Sequence, residues 1–226
     1  MRKLIYAIAT SLDGYIARAD GSMDWLPRAA AKDEAARGKF LERIDTLIVG
    51  RKTYEQLLNH GPWPHEGRQC HVLSRKWAGQ RDVHAEFTDT GVAALVRRLR
   101  KRPGRDIWLV GGGECAQACF AAGVVDEIIL TIMPVLLGEG RPLFLPHATL
   151  ARLSLRYARG LPGGLVRLEY GVTVQASCVS SGSHQAPVAA TNASRLDTRS
   201  AVRKSPTGAQ RPKITEAAAA AMRPML

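Results

Sequence analysis

The sequence predicts a single-domain α/β fold with a mainly parallel sheet and an antiparallel hairpin at its edge. Three observations carry this. Runs such as Leu47-Ile48-Val49 and Ile107-Trp108-Leu109-Val110 are apolar on both faces, as strands covered from two sides must be. These runs alternate with segments whose apolar residues recur at helical spacing. Near the end, residues 153–159 and 165–172 alternate apolar and polar around Pro162-Gly163-Gly164, which is the pattern of a hairpin.

In chain order, residues 4–9 read as a central strand, and residues 33–44 as a helix carrying Ala36, Phe40 and Ile44 on one face. Residues 46–49 are a buried strand ended by Gly50, and a short helix over residues 53–59 stops before Gly61-Pro62. Residues 70–73 form a third strand and residues 83–87 a weaker one. Thr90 is placed to cap a helix with Val92, Leu95, Val96 and Leu99, ended by Pro103-Gly104. Residues 107–110 are another strand, followed by three glycines and a helix to about residue 122. Residues 127–135 complete the series, and a Gly/Pro-rich loop precedes the hairpin.

Composition divides the chain. Its 226 residues are 46% hydrophobic and 23% charged, as in ordinary globular proteins, and every aromatic residue lies at or before Tyr170. Residues 1–172 therefore read as the domain. Residues 173–226, rich in Ala, Ser, Thr, Arg and Pro, cannot bury enough surface to offset their ordering entropy and are expected to be a disordered basic tail. The net charge is +12, and the tail holds +5 of it, seven basic residues against Asp197 and Glu216. That balance favours anionic partners, either a phosphorylated small molecule or nucleic acid. The longest apolar stretch, residues 128–137, is too short to span a bilayer. Arg2-Lys3 ahead of the apolar residues 4–9 imitates a signal peptide but lacks the apolar length and cleavage site, so a cytoplasmic location is expected. Cys70, Cys115, Cys119 and Cys178 lack metal or redox spacing and read as small hydrophobes. His60 and His65, around Gly61-Pro62-Trp63-Pro64, read as surface-loop residues, and no metal site is expected.

In parallel α/β sheets, ligands bind beyond the carboxyl ends of the strands. Three such ends carry suitable residues. Val110 leads into Gly111-Gly112-Gly113-Glu114 and a helix, where glycines admit a phosphate to the main chain and helix amides favour the anion. Val49 leads into Gly50-Arg51-Lys52-Thr53 at another helix start, where a guanidinium and a hydroxyl can meet a phosphate. Leu73 leads into Ser74-Arg75-Lys76, suited to a terminal phosphate monoester. Taken singly, each is also an ordinary turn or surface charge; together they suggest a dinucleotide with an additional phosphate.

The order of residues 47–55, Val72-Leu73-Ser74-Arg75 and residues 107–113 resembles dihydrofolate reductases. Residues 11–17, Asp20-Gly21, Asp24-Trp25, residues 122–127 and Pro134-Val135-Leu136-Leu137-Gly138 resemble the C-terminal reductase domain of the bifunctional riboflavin-biosynthesis protein RibD. The combination is similar to stand-alone bacterial members of this dihydrofolate-reductase-like superfamily, over residues 1–172. The resemblance implies a three-layer α/β/α fold with a twisted sheet and an NADPH cleft. Arg51, Lys52 and Thr53 would hold the pyrophosphate and 2′-phosphate side, and Leu73, Ser74 and Arg75 would flank the adenosine phosphate. Gly50, Val110 and residues Gly111, Gly112, Gly113, Glu114 and Cys115 would line the pyrophosphate and nicotinamide side, with Ala9 facing the nicotinamide. The segment 13–25 would be a loop over it. Trp25 and Thr131 fall at substrate positions, and a homodimer is implied.

Folate reductases place a carboxylate on the helix after this loop; the matching position here is Ala29. Asp24 is the nearest candidate to assist protonation, since hydride delivery to C=N needs a proton or hydrogen bond at the nitrogen. Asp13 reads as a structural turn residue. The expected function is an NADPH-dependent reduction of a pyrimidine- or pteridine-type molecule, resembling 5-amino-6-(5-phosphoribosylamino)uracil reductase. The alternatives are a dihydrofolate or other small-molecule reductase and, from another class, a protein binding nucleic acid through its basic tail.

Overall fold

The computed structural model describes residues 1–26, 34–59, 61–145 and 150–174. The first strand, β1 (Leu4–Ser11), explains its own sequence: Leu4 and Tyr6 pack into one apolar cluster, Ile5 and Ala7 into another, and all four are buried. A strand that feeds two cores cannot alternate apolar with polar.

Five further strands run parallel in the same sheet: β3 (Ile44–Gly50), β4 (Gln69–Leu73), β5 (Glu86–Thr88), β6 (Asp106–Val110) and β7 (Glu127–Met133). The hairpin strands β9 (Ala151–Leu161) and β10 (Leu165–Val174) add antiparallel to β7, giving the order β5-β4-β3-β6-β1-β7-β10-β9. Helices α1 (Glu34–Arg43) and α2 (Arg51–Asn59) cover one face through Phe40 and Tyr54, which pack with Leu47, Val49 and Trp108. Helices α3 (Val92–Arg100) and α4 (Glu114–Ala121) cover the other through Leu95, Leu99, Cys119 and Phe120, against Ile48, Leu109 and Ile128. Each fully buried Leu or Ile contributes about 1.5–3 kcal/mol. The result is the three-layer α/β/α arrangement that the sequence predicts.

The differences from the sequence reading have local causes. Helix α2 starts directly at Arg51, two residues earlier than expected. Residues 82–85 form a turn instead of strand, because Asp82 Oδ1 accepts from the amides of His84 and Ala85 at 2.8 and 2.7 Å; Val83 is exposed. Gly91, not Thr90, caps α3, since the Thr90 hydroxyl accepts from Thr88 Oγ1 at 2.9 Å. Strand β10 continues through Thr173 and Val174, which pair with Arg152 and Ala151, two residues past the expected domain boundary. The rest of the expected tail lies outside the described residues, as do Ala29, Asp33 and His60.

A second sheet escaped the sequence reading: β2 (Tyr15–Ala17) pairs antiparallel with β8 (Arg141–Pro142). At the opposite end of the main sheet Arg2 is buried, ion-paired with Asp45 and donating to Thr46 Oγ1 at 2.6 Å and the Arg105 carbonyl at 2.6 Å. That basic residue fastens the start of β1 to its neighbours. Among the described residues, no helix is long and apolar enough to cross a membrane.

Candidate functional site

The carboxyl ends of β3, β4 and β6 open on one cavity of about 990 Å³. It is lined by all fourteen residues expected to hold a dinucleotide, from Ala9 on β1 through the Gly50–Thr53, Leu73–Arg75 and Val110–Cys115 turns. Three helices begin at its wall, α2 at Arg51, α3 at Val92 and α4 at Glu114, and first-turn amides of this kind supply donors suited to an anion.

Two glycines shape this wall. Gly111 has φ +87°, and a Cβ there would stand 2.6 Å from Thr53 Oγ1. A Cβ on Gly112 would stand 2.2 Å from Ile16 Cδ1 and 3.2 Å from the Tyr6 hydroxyl. Thr53 and Ile16 thus close on the turn after β6, which admits glycine alone and presents bare main chain to the cavity. That cradle fits a pyrophosphate.

The charged side chains are arranged around it. Arg51 Nη1 donates to both carboxylate oxygens of Glu55, at 2.6 and 2.7 Å, and its guanidinium lies 5.7 Å from the Trp77 ring centre. The group is thus held over the indole, with its other nitrogens outside the Glu55 pair. Ser74 is buried, its hydroxyl accepting from the Trp77 amide at 3.2 Å, so the hydroxyl hydrogen remains available to a ligand. Arg75 and Lys76 stand exposed beside it. Glu114 carries a negative charge at the start of α4, where it competes with a bound anion for the same amides.

The expected substrate and proton-donor residues are placed differently. Asp24 does not line the cavity; its Oδ1 accepts from Arg18 Nε at 2.6 Å on the exposed surface, and that bond holds the carboxyl below its usual range. A carboxylate kept ionised and outside the cavity has neither the position nor the proton that the expected role requires. Trp25 also stands outside the lining, packed against Ala9, Met133 and Leu165, with its Nε1 buried and unpartnered. Thr131 is buried on β7 directly beside Ala9 in register, one strand removed from the cavity. Trp108 does line it, donating through Nε1 to the Ala7 carbonyl at 3.2 Å.

Other expectations meet mixed outcomes. Asp13 is structural, as read, yet it ties distant chain: its carboxylate accepts from Ser11 Oγ at 2.6 Å and from the amides of Leu137 and Gly138 at 3.0 and 2.7 Å. His65 is a correction, being buried between Trp63 and Trp108, not on the surface. Cys70 and Cys119 are buried, whereas Cys115 is half-exposed in the cavity wall.

The sequence reading placed Gly21 and Met23 only within the loop over the site, and it left Leu26, Gln56 and Leu57 out of the wall. Part of it was legible: Thr53, Gln56 and Leu57 recur at helical spacing, so a helix that offers Thr53 offers the other two. Arg141 lies in residues 139–144, a stretch that reads from sequence as bordering either the substrate or a dimer interface, and the pairing of β8 with β2 brings it to the cavity.

Comparisons with known proteins agree with this geometry. The family model described as the RibD C-terminal domain matches residues 2–166. The protein YwjB of Bacillus subtilis, itself uncharacterised, is 35% identical over 170 residues, covering 75% of this chain and 97% of that protein. Dihydrofolate reductase type 8 of Escherichia coli is 31% identical over 137 residues, 59% of this chain and 75% of that enzyme. Among solved structures, a candidate riboflavin biosynthesis protein from Shewanella sp. PV-4 superposes with a TM-score of 0.68 at 26% identity, covering 76% of this chain and 99% of that one.

Proposed function

This chain belongs to the family of RibD C-terminal domains, and from that premise we propose that it is an NADPH-dependent reductase of a pyrimidine- or pteridine-type small molecule. The observation that carries the reading is the convergence of three strand ends, the N-termini of α2 and α4 and the Ser74-Arg75-Lys76 turn on one cavity. A dinucleotide with an extra phosphate needs those groups in that distribution: main-chain donors for the pyrophosphate and a separate cationic turn for the monoester.

In this reading the amides at the starts of α2 and α4 and the Gly111-Gly112 turn hold the pyrophosphate, while Ser74 and Arg75 take the 2′-phosphate. Bound there, NADPH would supply a hydride. Ala9 leaves the sheet flat at the reacting end, and Ile16, Met23 and Leu26 exclude water from it. The carboxylates among the described lining residues are Asp89, which follows β5, and Glu114, at the start of α4. A substrate that does not require a carboxylic acid beside its reacting atom suits these walls better than a pterin does. We therefore favour a reaction like that of 5-amino-6-(5-phosphoribosylamino)uracil reductase over dihydrofolate reduction. The reading places the chemistry in the α/β domain of a cytoplasmic homodimer and gives the basic tail no part in it.

The test is a titration with NADPH and NADH, followed by energy transfer from Trp108 to the nicotinamide. NADPH should bind saturably and at least tenfold tighter than NADH, because a charge-assisted phosphate contact is worth about 1.5–3 kcal/mol. Arg75→Ala and Arg51→Ala should each weaken NADPH more than NADH. Absence of binding, or equal loss for both nucleotides, would overturn the assignment.

A further inference from the structure

Arg141 stands in the cavity wall away from the other cationic residues there. Arg51, Lys52, Arg75 and Lys76 belong to the start of α2 and the turn after β4, whereas Arg141 lies on β8, paired with Ala17 of β2. Its guanidinium is seated, not free. It rests on Gly21, where a Cβ would come within 2.6 Å of Nη2 and 2.8 Å of Cζ, and Nη2 points to the Asp20 carbonyl at 3.4 Å. Gly21 is fixed in turn by α2, since Gln56 Nε2 donates to its carbonyl at 3.1 Å. Among the described residues, no carboxylate lies within ion-pair distance of Arg141.

An exposed arginine seated on a glycine at a cavity wall, coupled to the nearby Asp20 carboxylate but not in contact with it, keeps donors free to receive an anion. We propose that Arg141 is the specificity-determining residue for the second ligand of the cavity, and that this ligand carries a phosphate or carboxylate. The inference rests on the cofactor reading above, which assigns the remaining basic residues to the dinucleotide. The Gln56 bond to the Gly21 carbonyl holds Arg141 in register with α2, so that its guanidinium marks the distance between the reacting end and the anion.

Calorimetric titration of the full chain, free and saturated with NADPH, tests this with two matched pairs: uridine 5′-phosphate against uridine, and orotate against uracil. The charged member of at least one pair should bind about tenfold tighter, the cost of losing one charge-assisted contact. The pair that shows the preference identifies phosphate or carboxylate. Arg141→Gln should reduce that preference to within twofold while NADPH affinity changes less than twofold, and Arg141→Lys should retain part of it. Gly21→Ala, which keeps every charge but displaces the guanidinium and strains a backbone at φ +93°, should also reduce it. No preference for either anion, absence of binding included, overturns the proposal; so does a preference that survives Arg141→Gln. Equal loss of NADPH binding in Arg141→Gln would assign the residue to the cofactor instead. If NADPH binds nowhere, the cofactor reading fails by itself, and the anion preference of the free protein still decides the role of Arg141.

Discussion

The His65 imidazole sits edge-on to Trp63 and Trp108, with ring centres 5.4 and 5.0 Å apart and its Nε2 buried without a partner. Burial pushes its pKa down to about 4, and the nearby Arg68 and Arg37 act in the same direction. A depressed histidine pKa gives stability that is complete above the unfolded value of about 6.5 and is lost as pH falls toward 4, because the unfolded chain takes up a proton that the folded one refuses. The slope reaches about 1.4 kcal/mol per pH unit. Urea unfolding should show the wild type losing about 2 kcal/mol more than His65→Phe between pH 6.5 and 4.5; parallel curves would show that His65 titrates normally. Nothing local announced this residue. Gly61-Pro62-Trp63-Pro64 has the composition of a surface loop, and the ring that buries His65 arrives from β6, more than forty positions later. Asp24 failed the sequence reading for the converse reason: its neighbour Arg18 claims it, a contact made possible by the turn between them.

At the scale of elements, the sequence was most legible where one strand feeds two cores. Leu47-Ile48-Val49 and Ile107-Trp108-Leu109-Val110 were read correctly because no solvent-facing position interrupts them. The turns that end them were legible too, since Gly111 and Gly112 are required by the close approach of Thr53 and Ile16. Strands β2 and β8 were not: three and two residues are too few for a period, and their pairing depends on Asp13 gripping the amides of Leu137 and Gly138. This small sheet nevertheless carries Ile16 against the Gly111-Gly112 turn. Gly112→Ala would place a methyl 2.2 Å from Ile16 Cδ1. The backbone tolerates alanine there, so the expected cost is overpacking, about 1–3 kcal/mol, shared between stability and ligand affinity. NADPH affinity should fall about tenfold. Adding Ile16→Val, which removes Cδ1 alone, should restore most of it. Failure of the double variant to recover affinity would mean that β2 does not press on the turn.

The whole molecule leaves one large surface unexplained by the domain itself. Strand β9 is exposed over nearly its whole length and forms the edge of the eight-stranded sheet. A register shift between Glu169 and Tyr170 sets Leu155 opposite Tyr170 and Leu153 opposite Val172. These two leucines and Val166 thereby share the sheet face on which α3 and α4 pack, yet they are 47%, 56% and 38% exposed for Leu153, Leu155 and Val166. An apolar edge strand left in this state invites pairing with another chain. The alternation of the hairpin sequence was visible from the start, but its bulge was not, and the bulge decides which residues share a face. A second copy seated on this face would shield the leucines and account for the length of the hairpin, which exceeds what the domain core uses. Light scattering should therefore give twice the 24.5 kDa chain mass, and Leu155→Lys should halve it without loss of NADPH binding. Burying an unpaired ammonium in an apolar contact costs several kcal/mol, enough to dissociate a dimer held by one such face. A wild-type protein that is monomeric at micromolar concentration, or a lysine variant that stays dimeric, would place the subunit contact elsewhere or remove it, and the exposed leucines would then require a different partner.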